Sequence, residues 1–174
     1  MEAQPPPPPP PPRVRPSCYS NCEYSINMQI NLELYASSVY LSMSCYFGRD
    51  DVALRHLAQF FLRLSSEERA HAEKLIQFQH QRGVHTNLPD IHVCDDWETG
   101  PKAMNFALSL EKHVNQNLSN LHKLATDMND TQLCDFLNNH YLHVQVKSIN
   151  NQTKLRTPEE DLAEYFFHKL TLDD

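Results

Sequence analysis

Glycine is scarce in this chain, and proline is concentrated in one place. Glycine occurs only three times in 174 residues, and the run from Pro5 to Pro12 holds eight of the twelve prolines. Proteins built from strands need many tight turns, and tight turns draw on glycine and proline. The composition therefore excludes a turn-rich β or α/β protein and favours a few long helices.

Clustered positive charge and long apolar runs are also missing. The formal net charge is −7 at pH 7, whereas nucleic-acid binding requires clustered Lys and Arg. No run approaches the roughly 18 apolar residues of a membrane-spanning helix. The first residues, Met1 to Gln4, resemble neither a secretory signal nor a transit peptide. We expect a cytoplasmic protein with no nucleic-acid partner and no membrane partner.

The cysteines do not form a recognisable framework. Their number is odd, no pair has zinc-ribbon spacing, and the first two lack a matching pair downstream. Free thiols in a reducing compartment are the expected state. The five are Cys18, Cys22, Cys45, Cys94 and Cys134.

The chain divides into a tail and one domain. Residues 1–17 contain the polyproline run and a short basic segment, Arg13 to Arg15, and such a run adopts an extended helix without internal hydrogen bonds. A disordered extension is expected, and a ligand for a proline-binding domain is the alternative. Residues 18–174 are expected to form a single domain.

Apolar residues in that domain recur at helical spacing and predict four long helices. These run from Tyr24 to Phe47, from Val52 to Arg82, from Pro101 to about Met128, and from Gln132 to about Leu155. In the first helix the helical spacing is shown by Ile26, Ile30, Leu32, Leu34, Val39, Leu41 and Met43. The buried stripe of the second helix is expected at Leu54, Leu57, Phe61, Leu64, Leu75 and Phe78.

Helix ends have their own signals. Gly48 and Gly83 should end the first two helices, and Asp50 or Asp51 should cap the second. The polar segment from Asn129 to Thr131 should supply the cap of the fourth.

One long aperiodic segment, Val84 to Gly100, separates the second helix from the third. A connection of this length suits two parallel helices, because a short turn joins only antiparallel neighbours. The prediction is an all-α, up-down four-helix bundle with a long crossover and a short C-terminal fifth helix, Glu159 to Leu170.

Each long helix carries one polar side chain that can bind a metal. Glu68 and His71 are three residues apart on one helix face, and this Glu-x-x-His pair, with glutamates from partner helices, is the ligand pattern of di-iron bundles. Singly, such residues more often lie on a solvated face. Together they predict a metal site, because burying several carboxylates without a cation costs several kcal/mol each. The set is Glu33 with Tyr40 two turns later, Glu68, His71, Glu111 and Gln145.

Several longer segments resemble the heavy chains of vertebrate ferritins, and the resemblance extends from about residue 24 to Leu172. It rests on the segments Asn31 to Ser37, Arg49 to Leu54, Glu67 to Arg69, His71 to Leu75, Leu110 to Lys112, His122 to Asp127 and Leu162 to Tyr165.

The resemblance implies a ferroxidase, with a di-iron centre where O2 oxidises Fe(II) to Fe(III), and iron storage in a multi-subunit shell formed with other ferritin chains. The centre falls on Glu33, Glu68, His71, Glu111 and Gln145, with Tyr40 beside it and Glu68 as the bridge. Residues implied in iron entry or nucleation are Glu67, Glu73, His122 and Asp135.

Departures from the heavy-chain pattern keep a second function open. Ala70 and Asn138 replace acids, and the connection over residues 148–157 is shorter than in those chains. The alternative is a catalytically weak structural or modulatory subunit that assembles with other ferritin chains. A bundle that binds a partner through its proline-rich tail is a third class.

Overall fold

The computed structural model describes residues 17–142, and every regular element in that range is helical. The elements are α1 (Ser17–Phe47), α2 (Arg55–Gln81), α3 (Gly100–Asp127) and α4 (Thr131–Leu137), which continues into a π-helical turn (Asn138–Leu142). Over the same residues no helix has the length and apolar character needed to cross a bilayer. The predicted all-α bundle is confirmed. The predicted fifth helix and Gln145 lie outside the described residues, and the division at residue 17 stays a prediction.

The second and third helices run parallel to each other, so the chain must cross the length of the bundle between them. Buried contacts join Ser37 to Ser65 and the Gln79 side chain to the backbone of Glu23, which makes α1 and α2 antiparallel. One apolar cluster contains the beginnings of both α2 and α3, and a second contains both their ends. The predicted crossover is therefore present, between Gln81 and Gly100.

The crossover lies along α1 and is attached to it by hydrogen bonds. The Asn27 side chain accepts from the backbone N–H of Asn87 and donates to its carbonyl, at 2.8 and 3.0 Å. Further along, the Ser42 hydroxyl donates to the Cys94 carbonyl and accepts from the Trp97 indole. These bonds satisfy backbone groups that a loop would otherwise leave to water.

Three helix ends follow the sequence signals. α1 ends at Phe47, directly before Gly48. Gly83 follows the end of α2 with a φ of 70°, a conformation that glycine adopts without a steric penalty. The Asp130 carboxylate accepts from the N–H of Leu133 at the start of α4. At the start of α3 the cap is Thr99, which was not predicted and whose hydroxyl accepts from the N–H of Lys102.

The predicted start of α2 is wrong by three residues. The helix begins at Arg55 rather than Val52, and neither predicted aspartate caps it. Asp51 instead forms an ion pair with Arg49, and Ala53 has a φ of 54°, which interrupts helical geometry. The carboxylate that should have capped the helix is engaged inside the preceding turn.

One residue predicted to be buried is exposed. Leu54, expected in the buried stripe of the second helix, is 39% exposed. Because α2 begins at Arg55, Leu54 precedes the helix and does not share its buried face.

The core has two apolar clusters and a set of buried polar residues. One cluster contains Ala36, Tyr40 and Phe61, and the other contains Ile30 and Leu75. Five buried polar residues interrupt the apolar faces of α1 and α2, and we call them the polar layer: Gln29, Glu33, Ser37, Ser65 and Glu68. The interior of this bundle therefore contains a polar region in addition to its apolar packing.

Candidate metal centre

Three side chains meet in the polar layer with the donor atoms of a metal site. Glu33, Glu68 and His71 each offer one atom, and all three atoms lie within 4.8 Å of one another. His71 Nδ1 is 3.8 Å from Glu33 Oε2 and 3.7 Å from Glu68 Oε2. Both glutamates are buried, and the His71 side chain is 19% exposed. We call these residues the Glu–Glu–His group.

Helix geometry brings the three residues together. Glu68 and His71 lie one turn apart on α2, as their spacing predicts. Glu33 approaches from α1 because small residues allow the two helices to pack closely. Ser37 and Ser65 meet at this contact, and each hydroxyl donates to the other residue's backbone carbonyl at 2.8 Å. Small polar residues therefore hold the helices at the distance that the site requires.

The two carboxyl groups ionise differently in the metal-free protein. Burial raises the pKa of Glu68, the neighbouring Glu33 raises it further, and the result is a pKa of about 9. Burial also tends to raise the pKa of Glu33, but its contacts with Glu68, His71 and Gln29 outweigh this and hold that pKa below its usual value. At neutral pH the pair therefore shares one proton.

His71 is a cation in the metal-free protein at neutral pH. Burial alone would lower its pKa, but the adjoining Glu33 and Glu68 raise it to about 10. Imidazole binds metals in its neutral form, so a metal must displace this proton. The proton that Glu33 and Glu68 share and the positive charge of His71 together compensate the two buried carboxyl groups when no metal ion is bound.

Two oxygen atoms of the Glu–Glu–His group that accept no hydrogen bond are suitable ligands for a metal ion. Glu33 Oε2 and Glu68 Oε2 are both buried, and neither has a hydrogen-bond partner. A buried carboxylate oxygen without a donor is costly, and a bound cation removes that cost. Two carboxylates and one imidazole suit divalent transition metals such as iron.

Glu111 lies beside the group but is not a member of it. Its Oε1 accepts a hydrogen bond of 2.7 Å from the Tyr40 hydroxyl. Burial raises the pKa of Glu111, as does the charge of Glu33, although the Tyr40 bond acts in the opposite direction. Burial and then the charge of Glu111 raise the pKa of Tyr40 far above its ordinary value, so Tyr40 remains a neutral donor. Tyr40 therefore contacts Glu111, and the roles of both residues at a metal centre stay predictions.

The predicted entry and nucleation residues do not gather into a site. Glu67, Glu73 and Asp135 are exposed, and the only cluster of metal-ligating residues among residues 17–142 is the Glu–Glu–His group. His122 Nε2 lies 3.0 Å from Asn138 Oδ1 and forms a hydrogen bond with it. The roles predicted for these four residues stay predictions, as does that of Gln145, which lies outside the described range.

Two neighbours of the group were not found from the sequence. The Gln29 amide donates to Glu33 Oε1 at 2.8 Å. The Tyr141 hydroxyl donates to the His71 carbonyl at 2.7 Å, and the two rings are 5.5 Å apart. The spacing of Gln29 four residues before Glu33 was the available signal. For Tyr141 there was none, because it reaches the site through the π-helical turn.

Comparison with known protein families agrees with this architecture. The family model described as Ferritin, a ferritin-like domain, matches residues 24–157, which is more than half of the chain. The match includes α2, α3, α4 and most of α1, together with every residue of the Glu–Glu–His group. A four-helix bundle with a long crossover and a carboxylate–histidine group in its interior is the arrangement expected of this family. The chain belongs to the ferritin family.

Proposed function

We propose that the protein is a ferritin subunit of the heavy-chain type, which oxidises Fe(II) with O2 at a paired iron site. The observation that carries the proposal is the convergence of Glu33, Glu68 and His71 in the interior of the bundle, where two buried carboxylate oxygens have no hydrogen-bond partner and both lie within 3.8 Å of His71 Nδ1. Two buried carboxyl groups facing a single imidazole are an unusual structural ion pair, whereas they are a suitable ligand set for a metal ion.

Different residues bind each of the two substrate iron ions. Glu33 and His71 bind one Fe(II), Glu111 binds the other, and Glu68 lies between them as the bridge. Gln145 is the remaining ligand of the second iron and, as a neutral donor, binds it more weakly. Tyr40 holds Glu111 in place through the 2.7 Å hydrogen bond. Weak binding on this side favours release of the product.

The reaction needs no oxidant other than O2. Two Fe(II) ions each give up one electron, and O2 takes up both electrons together with two protons from water and leaves as hydrogen peroxide. The protein contributes binding, alignment of the two ions and exclusion of bulk water. The Fe(III) product moves to a store enclosed by a shell of such subunits in the cytoplasm, built from copies of this chain or with other ferritin chains.

The test is the initial rate of Fe(II) oxidation in air, measured with purified protein. The wild-type chain should oxidise Fe(II) well above the buffer rate, and His71→Ala combined with Glu68→Gln should reduce the rate to that of buffer. His80→Ala combined with Asp127→Asn is the matched control, because it removes one imidazole and one carboxylate from exposed positions. This control should oxidise iron like the wild type.

A wild-type rate equal to that of buffer would refute the oxidase. A structural or modulatory subunit would then be the better description, and native mass should show the chain incorporated into shells with other ferritin chains. Equal loss of activity in the control and the test variant would show that the assay reports surface charge and not the centre.

A further inference from the structure

Gln29 is a buried residue whose amide donates a hydrogen bond to a member of the Glu–Glu–His group. It lies on α1, one turn before Glu33, and is only 2% exposed. Its Nε2 donates to Glu33 Oε1 at 2.8 Å, a short bond for a nitrogen donor. Glutamine is seldom buried, and it loses considerable side-chain freedom when it is. Its place in the polar layer therefore calls for a reason beyond packing.

The bond orients the Glu33 carboxylate. Its Oε1 accepts from Gln29, and its Oε2 lies 3.8 Å from His71 Nδ1 and has no hydrogen-bond partner. The two carboxylate oxygens are chemically equivalent, so the bond fixes the plane of the carboxylate and the direction of the oxygen that does not contact Gln29. The Glu33 side chain is therefore oriented before any ion arrives.

We propose that Gln29 is a positioning residue, which fixes the Glu33 carboxylate so that Oε2 is presented to iron. The proposal rests on the proposed function, because it assigns a role toward the same site. Groups that hydrogen-bond to a metal ligand orient it and reduce the entropy lost on binding, and removing such a group typically costs about 10- to 100-fold in metal affinity.

The chain supplies a matched control. Gln79, on α2, is also fully buried, donates through Nε2 to a backbone carbonyl at 2.8 Å, and has a buried Oε1 without a hydrogen-bond partner. It differs from Gln29 in its acceptor, which is the carbonyl of Glu23 and not a residue of the Glu–Glu–His group. Any effect of simply replacing a buried glutamine should therefore occur at both positions.

The experiment compares Gln29→Met with Gln79→Met in the full-length protein. Methionine has nearly the length of glutamine but donates no hydrogen bond. Anaerobic calorimetric titration with Fe(II) should give a Kd about 10- to 100-fold weaker for Gln29→Met, whereas Gln79→Met should bind like the wild type. Stability to urea, measured with a chelator present, should fall by similar amounts in the two variants.

Gln29→Asn provides a second test in case Gln29→Met does not fold. It keeps a buried amide but is one methylene too short to hold Glu33, and we expect the same loss of affinity. Equal Fe(II) affinity in the wild type and in either folded Gln29 variant would overturn the positioning role. Equal weakening in the Gln79 variant would overturn it as well. Absence of Fe(II) binding by the wild type would instead refute the proposed function, so the two failures are distinguishable.

Discussion

Replacing Glu33 with Gln should separate metal binding from folding. The two side chains have the same shape, and the amide carbonyl can still accept the bond from Gln29. The amide nitrogen would replace Oε2 and donate toward Glu68, and Glu68 would ionise in place of Glu33 as the partner of His71. No buried charge is left without a partner, so we expect the metal-free variant to stay within about 1 kcal/mol of the wild type.

The wild type should gain far more from metal than the variant does. At a free Fe(II) concentration of 100 times Kd, a single site contributes about 2.7 kcal/mol. For a chain of this size that corresponds to a rise of roughly 5 to 10 °C in Tm. If the loss of one of three ligands weakens binding about 100-fold, the same Fe(II) concentration stabilises the variant by only about 0.4 kcal/mol, or roughly 1 °C.

The assay is thermal unfolding followed by the helical circular dichroism signal, in an anaerobic cell, with Fe(II) or with a chelator, at fixed protein concentration. Asp127→Asn removes an exposed carboxylate at the end of α3 and should show the full wild-type shift. A full shift in Glu33→Gln would refute the assignment of Glu33 as a ligand. A metal-free loss above about 3 kcal/mol would show that the glutamate serves a structural ion pair.

Three further outcomes follow from particular contacts. Because the pKa values of Glu68 and His71 are raised to about 9 and about 10, the folded metal-free protein holds protons that the unfolded chain has released. Its stability should therefore fall as pH rises, between about 4.5 and 9 through Glu68 and between about 6.5 and 10 through His71, by up to roughly 1.4 kcal/mol per pH unit for each proton; urea unfolding with a chelator at several pH values measures this, and a flat profile would contradict it. Tyr141→Phe keeps the ring against His71 but removes the hydroxyl that donates to its carbonyl, so chemical unfolding should show a loss of about 0.5 to 1.5 kcal/mol. Arg82→Met removes the partner of the buried Asp130 carboxylate, 2.7 Å away, and should cost about 3 to 5 kcal/mol; addition of Asp130→Asn should recover much of this, and no recovery would show that the loss comes from packing.

Local signals determined several of the helix ends. Gly48 after α1, Gly83 after α2 and Asp130 as the cap of α4 act within a few residues, so they can be recognised in the sequence. The predicted start of α2 was wrong for a reason that is also local. Asp51 had two partners within reach, Arg49 and the helix N-terminus, and only the folded turn shows that it pairs with Arg49.

The burial pattern was less readable, because hydrophobicity does not identify a polar interior. Gln29 is buried, although no apolar pattern marks its position. It is buried beside Glu33 at the contact with the second helix, which brings another carboxylate and an imidazole. Sequence periodicity counts such residues as surface.

The sequence by itself determined the helical class, the crossover, and the Glu68–His71 pair, because each depends on spacing along one helix or on the length of one connection. The resemblance had already placed Glu33 with this pair and Tyr40 beside it. Only the tertiary structure decided that Tyr40 bonds to Glu111, that Glu111 lies outside the Glu–Glu–His group, and that Gln29 and Tyr141 support its members. Those contacts depend on the distance and rotation between helices, which the close contact of Ser37 with Ser65 sets between α1 and α2. Residues far apart in the chain can form one site only after packing has fixed the distance and the rotation between their helices.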